Sequence, residues 1–336
     1  MAITINDVAA KAGVSKSTVS RYLNGRYECM SLGTKEKITQ VIAELDYHPN
    51  AVARSLKQKS TKTIGAIVAN ILNPFSTSIV RGVEDYCKQS GFNLILCNAD
   101  DDPVKEKEYI TMLMTKQIDG LMINTTGHNN ALLQGVTQQI PVVLIDRKVA
   151  AIKADTVTAD SCRGAYLAVR HLIGLGHTRI ALLALPCANI SPRLERVQGY
   201  KQALTDCGLP VDERLVVETC TAQAVVLERI KQLLAMNPRP TALFGVNNLM
   251  TMSIIKALKK LAIPIPADMA VIGFDDWEWA ELLEPPVTVI AQPTYDMGKK
   301  AGELLLKRIK SGRAGKRPSV IVYPPALVVR KSCGET

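Results

Sequence analysis

Hydrophobic positions fall into two textures along the chain. Up to about residue 46 they recur at helical spacing, and from Thr63 onward they gather into short continuous runs. In the first part, Thr4 precedes Ile5, Val8 and Ala9, with Asp7 three residues on, which predicts a capped helix ended by Gly13. Ser15 predicts the cap of a second helix that runs to Leu23, where "NGR" stops it. Ile38, Val41, Ile42 and Leu45 fall at i, i+3, i+4 and i+7 and predict a third helix over 34–45. A unit this small is too slight for an enzyme. Next comes "YHPNAVARSLKQKSTKT", residues 47–63. It predicts a short amphipathic helix, opened by Pro49 and Asn50, that needs a partner surface to form and so acts as a hinge.

The body carries the runs "TIGAIVA", "NLILCNA", "GLMIN", "PVVLID", "TVTAD", "RIALLAL", "TALFGV", "MAVIGFD", "VTVIAQ" and "SVIVYP". Unbroken Val/Ile/Leu runs predict strands buried on both faces, and the helix-length spacers between them predict parallel connections. The fold expected is an all-α helix-turn-helix headpiece followed by an α/β body of two doubly wound parallel sheets. The division expected is a headpiece at 1–48, a hinge and linker at 49–62, an N-terminal lobe at 63–160 plus 290–320, and a C-terminal lobe at 161–289 plus 321–336. Strand candidates near 290 and 321 follow both halves, so the chain should cross between the lobes more than once. A ligand cleft is expected between the lobes, at the carboxyl ends of the strands.

Charge sharpens this division. Of the formal net charge of +10, residues 1–62 hold ten Lys/Arg against five Asp/Glu, residues 63–306 hold 23 against 25, and residues 307–336 hold eight against one. A basic headpiece on a near-neutral body points to a polyanion as the headpiece's partner. The basic tail is read as solvated helix ends and loops. The 336 residues are 47% hydrophobic and 21% charged, a globular balance. No apolar run reaches the length of a membrane span and no signal-peptide pattern opens the chain, so a cytoplasmic protein without membrane contact is expected. Its eight cysteines are scattered with no C-x-x-C or Cys/His grouping, which suits reduced thiols and predicts neither a disulfide framework nor a metal site.

The headpiece's "GVSKSTVSRYLNG", residues 13–25, has helix-turn-helix logic. Ala9, Gly13, Val14, Val19 and Leu23 suit the junction of two helices. Lys16, Ser17, Thr18 and Arg21 lie toward the exposed start of the second, placed to meet base edges and phosphates. In the body no H-E-x-x-H, G-x-S-x-G or phosphate-loop lysine appears, so no catalytic residues and no cofactor are expected. "GLGHTR" at 174–179 follows a helix and precedes a strand, the reverse of a dinucleotide-binding turn, so its glycines are read as helix terminators. What recurs is polar residues at strand ends: Asp146 and Arg147, Asn247 and Asn248, Asp275 and Asp276, and Gln292. Such groups suit sugar hydroxyls and carboxylates.

These blocks, with "TINDVAAKAGVSKSTVSRYLNG", "ELDYHPNAVARSLK", "NPFSTSIVRGVED", "HLIGLGHTRIALL", "RVQGY" and "MAVIGFDD", resemble the bacterial transcription regulators of the lactose and purine repressor type over essentially the whole chain. The resemblance implies a periplasmic-binding-protein-like body and a homodimer that binds palindromic double-stranded DNA. It puts Lys16, Ser17, Thr18 and Arg21 in the major groove, and Asn50, Ala53 and Leu56 on the hinge, with Leu56 as the minor-groove wedge. It adds Phe75, Ser76 and Arg196 to the effector site. The family commonly has Asn-Asp where this chain has Asn247-Asn248, and Asp-Asn where it has Asp160-Ser161. Arg147, Arg193 and Arg196 are expected in one cleft. Three guanidinium groups there would be unbalanced against a neutral sugar, which implies an acidic one. "ISPRLERVQGY" and "GFDDWEWA" resemble members that sense keto sugar acids such as 2-keto-3-deoxygluconate or 2-ketogluconate, with Trp277 serving either as a stacking face or as packing between the lobes. The end at "RKSCGET", without a heptad extension, implies a dimer and not the tetramers of some relatives.

Two other classes compete. A transport solute-binding protein for a sugar shares the lobes but predicts a secretory leader and no headpiece. An α/β enzyme needs a phosphate loop or catalytic dyad that the sequence lacks.

Overall fold

The computed structural model describes residues 3–28, 30–48, 60–312 and 317–334, and the chain divides into two compact units, residues 1–61 and 62–336. The first unit holds α1 (Ile5–Ala12), α2 (Lys16–Leu23) and α3 (Leu32–Glu44). Thr4 and Asp7 form a reciprocal capping box on α1, and Gly13 ends it in the left-handed conformation at φ 65°. Val8, Ala9, Ala12, Val19, Ile38, Val41 and Tyr47 make the headpiece core. α3 begins two residues before the expected Thr34, because Ser31 accepts from the Thr34 amide and so caps a first turn made of exposed Leu32 and Gly33.

The second unit contains β1 (Thr63–Val68), α4 (Pro74–Gln89), β2 (Asn93–Asn98), α5 (Pro103–Thr115), β3 (Gly120–Ile123), α6 (Asn130–Thr137), β4 (Val142–Ile145) and β5 (Asp155–Ala159). It continues with α7 (Ser161–Gly174), β6 (Ile180–Ala184), α8 (Ser191–Asp206), β7 (Val216–Glu218), α9 (Gln223–Leu234), β8 (Ala242–Gly245) and α10 (Asn248–Lys260). The last elements are β9 (Ala270–Phe274), α11 (Glu278–Leu282), β10 (Thr288–Ala291), α12 (Thr294–Ser311), β11 (Val320–Tyr323) and β12 (Ala326–Val328).

Two six-stranded sheets result, ordered β11-β5-β4-β3-β1-β2 and β12-β10-β9-β8-β6-β7. Every pair is parallel except β10 with β12. The inner strands are buried along nearly their whole length because helices cover both faces: clusters around Val83 and Leu113 flank the first sheet, and clusters around Tyr200 and Ile254 flank the second. Each sheet reverses its order beside its first strand, between β1 and β3 and between β6 and β8. Doubly wound sheets open a crevice at that point.

The lobe boundaries expected for the last segments are corrected. β10 belongs to the second sheet, α12 packs on α4 of the first, β11 joins β5 in the first, and β12 returns to β10 in the second. The expected division placed the 290 strand in the first lobe and the 321 strand in the second, the reverse of what the pairing gives. Apolar runs of similar composition carry no record of which sheet edge they complete.

α4 and α12 meet backbone to backbone through two glycines. A Cβ on Gly298 would stand 2.0 Å from the Ile79 carbonyl oxygen, and one on Gly82 would stand 2.2 Å from that of Tyr295. Gly298→Ala is therefore expected to destabilise the body by about 2–3 kcal/mol through overpacking. Gly135→Ala, on α6 where no atom lies within 4 Å, should cost nothing. Equilibrium urea unfolding of both variants checks the difference, and equal midpoints would refute the close approach.

Candidate functional site

In the headpiece, α2 begins at Ser15, whose hydroxyl accepts from the Thr18 amide at 3.1 Å and lies 2.7 and 2.8 Å from the hydroxyls of Ser17 and Thr18. Lys16, Ser17 and Arg21 are exposed and Thr18 is half-buried, while Val19 is fully buried on the opposite face. The Tyr22 hydroxyl bonds Thr39 at 2.6 Å and pins α2 against α3. Thus α2 is fixed by one face and presents two cations and short hydroxyls on the other, the arrangement a recognition helix needs. The expected hinge residues Asn50, Ala53 and Leu56 lie outside the described residues.

In the body, Phe75, Ser76, Asp146, Arg147, Arg193, Arg196, Asn247 and Asp275 line one cleft together with Asn124 and Asp101. They come from the first turn of α4, from the turns after β2, β3, β4, β8 and β9 and from α8, so strand ends of both sheets build most of it. The cleft encloses about 90 Å³. At roughly 10–15 Å³ for each water, that is the scale of one monosaccharide.

Arg196 is central. It is 6% exposed, donates from Nε to Ser161 at 3.3 Å and from Nη1 to the Val246 carbonyl, and lies 3.7 Å over the Phe274 ring. The buried carboxylates of Asp146 and Asp275 both feel its charge. Burial pushes both pKa values up, and Arg196 is the largest influence opposing that. Asp146 Oδ1 is buried without a hydrogen-bond partner. Asp275 Oδ1 accepts from Gln292 Nε2 at 2.6 Å, so Gln292 touches a cleft residue without itself being among the residues that line the cleft.

Arg147 and Arg193 are bridged by a residue that the sequence reading missed. Asp101 accepts Arg147 Nη2 on one oxygen at 2.6 Å and Arg193 Nη2 on the other at 2.9 Å. The cleft thus sets three arginines against three carboxyl groups, Asp101, Asp146 and Asp275, so the arginines do not stand unopposed as expected. The signal lay in the acidic run "NADDDP" at a strand end, where Asp100 and Asp101 both take positive φ.

The two departures from the family pattern also have structural meaning. Asn247 caps α10 by accepting from the Met250 amide, and Asn248 is 2% exposed, donating to Asn73 Oδ1 and accepting from Trp279 Nε1. Ser161 reaches the site through Arg196. Trp277 packs against the first lobe's core around Phe75 and is not among the residues lining the cleft, which agrees with the packing reading of the two expected for it.

A basic helix-turn-helix unit joined in one chain to a two-lobed body with a polar cleft defines a DNA-binding regulator of the ligand-responsive kind. Residues 4–50 match the family of bacterial regulatory proteins, lacI family, and residues 61–328 match the periplasmic binding proteins and sugar binding domain of the LacI family. The HTH-type transcriptional regulator KdgR of Bacillus subtilis (strain 168) is 39% identical over 98% of this chain and 97% of its own length. The HTH-type transcriptional repressor PurR of Photobacterium profundum is 35% identical over 98% of each. Among solved structures, the lac repressor dimer bound to operator and the anti-inducer ONPF matches all of both chains at a TM-score of 0.86 and 27% identity. The complex of the transcriptional regulator CelR with cellobiose matches 98% of this chain and 99% of its own at 0.73 and 30% identity. The chain belongs to the LacI family, and is a DNA-binding transcriptional regulator and not an enzyme. No helix among the described residues is long and apolar enough to cross a membrane.

Proposed function

We propose that this regulator is a cytoplasmic homodimeric repressor of sugar or sugar-acid catabolism genes. A small acidic sugar held between the lobes releases or tunes its grip on a palindromic operator. Lys16, Ser17, Thr18 and Arg21 read the major groove, and Asn50, Ala53 and Leu56 act at the minor groove between half-sites. Phe75, Ser76, Asp146, Arg147, Arg193, Arg196, Asn247 and Asp275 hold the effector, with Gln292 steadying Asp275.

The observation that carries the acidic assignment is the pair Arg147 and Arg193, one from each lobe and both already closed on a carboxylate. A pair arranged for a carboxylate suits an effector that brings one. Asp146, with a buried oxygen lacking a partner, supplies an acceptor for a sugar hydroxyl. The similarity to KdgR agrees with the keto-sugar-acid class suggested by "ISPRLERVQGY".

Calorimetry with 2-keto-3-deoxygluconate, 2-ketogluconate and glucuronate against glucose and galactose tests the assignment. Heat is expected from an acid and at least about tenfold weaker binding from its neutral counterpart, the factor a lost charge-assisted pair accounts for. Binding of the neutral hexoses alone would overturn it.

A further inference from the structure

Asp101 joins the lobes through contacts whose other ends are fixed. It follows β2 at φ 55°, and its amide donates to the Ala69 carbonyl at 2.8 Å, which sets the carboxylate above the strand ends of the first sheet. Arg147 is anchored in the same lobe by Nη1 on the Thr125 carbonyl at 2.8 Å, and Arg193 is anchored in the other by Nη1 on the Pro186 carbonyl at 2.9 Å. Each guanidinium is thus held by its own lobe and spends its second nitrogen on the shared Asp101. The side chains of Arg147 and Arg193 are 6% and 16% exposed. Nearby, the Lys148 amide donates across to Ser191 Oγ at 2.8 Å, Lys148 Nζ pairs with Glu195 at 2.7 Å, and Asn248 bonds Asn73 at 3.2 Å.

Two guanidinium groups on opposing lobes, Arg147 buried and Arg193 half-buried, repel, and that repulsion opens the cleft unless an anion lies between them. In this structure the anion is the protein's own. We propose that Asp101 is a built-in stand-in for an effector carboxylate: it latches the lobes while the cleft holds no acid, and an acidic ligand takes the Arg147–Arg193 pair from it. A neutral polyol lacks the charge to make that exchange, because it would leave both arginines without a counter-ion. The latch therefore makes the cleft selective for acids, although carboxyl groups and arginines are equal in number there. This inference rests on the acidic-effector reading for the exchange step, and on the lobe-to-lobe geometry alone for the latch.

Asp101→Asn separates the two. Asparagine tolerates the left-handed backbone of this position and keeps its shape, so the fold should stand, with a melting temperature close to wild type. In the effector-free full-length protein, hydrogen exchange at the Lys148 amide, which bonds to the opposite lobe, is expected to rise about tenfold or more as the lobes part. Calorimetry with 2-keto-3-deoxygluconate and 2-ketogluconate is expected to show about tenfold tighter binding to the variant, the gain from removing an occupied competitor, with glucose unchanged. Unchanged Lys148 exchange in the folded variant overturns the latch whatever binds. Faster exchange with unchanged or weaker acid binding overturns the stand-in role. Faster exchange in a protein whose wild type binds neither acid supports the latch and overturns its exchange for an acidic effector.

Discussion

Arg196→Met is expected to abolish the effector response and to destabilise the body by about 3–5 kcal/mol, the cost of removing one partner from a buried ionic group. Methionine keeps the packing volume over Phe274 but leaves Asp146 and Asp275 buried and without their cation. The pH dependence carries the signature of that mechanism. Burial already raises both carboxyl pKa values above the ordinary value, so each contributes stability that is fully present below that value and lost as pH rises through the folded value. Removing Arg196 takes away the largest influence opposing the rise. The variant's deficit should therefore be larger above neutrality and shrink as the pH falls toward the range where the carboxyls are protonated. Thermal unfolding across a series of pH values checks it. A deficit independent of pH would mean that Arg196 acts through packing and its bond to Val246, and not through the two carboxylates.

The second large effect concerns the headpiece. Arg21→Ala is expected to weaken binding to the selected operator by about 1–3 kcal/mol, roughly 5- to 150-fold, as loss of a side chain that reads a base edge does. Lys16→Ala is expected to weaken binding to all sequences alike and to lower the slope of log affinity against log salt by about 1, as loss of a phosphate contact does. Both residues are exposed and outside the headpiece core, so the helical signal and melting of the headpiece should not change. Fluorescence anisotropy on specific and scrambled duplexes, at several salt concentrations, separates the two roles. Equal losses on both duplexes for Arg21→Ala would remove it from base readout.

How far this was legible in the sequence depends on whether the signal was local. Thr4 with Asp7, Gly13 and Ser15 each act within one helical turn, and the caps and turn they predict are present. Continuous apolar runs report burial on both faces, so the parallel sheets followed from them. The lobe assignment of β10 and β11 did not, because strand partnership is a long-range choice that neither run encodes. At the cleft, strand-end position identified Asp146, Arg147 and Asp275. Asp101 stayed hidden because it matters only once β2 is set beside β1 and α8 brings Arg193 across. Charge counted from the arginines alone therefore gave the wrong sum. Geometry, not net charge, is what now argues for an acid.

In the proposed mechanism, occupancy of the cleft sets the strength of DNA binding. It is tested most directly by titrating full-length protein onto a palindromic operator selected from a random pool, with and without saturating 2-keto-3-deoxygluconate, in wild type and Arg196→Met. A shift in operator affinity of at least about tenfold is expected for wild type, of the size of ordinary allosteric coupling, and none for the variant. An acid that binds wild type by calorimetry yet leaves operator affinity unchanged would contradict it.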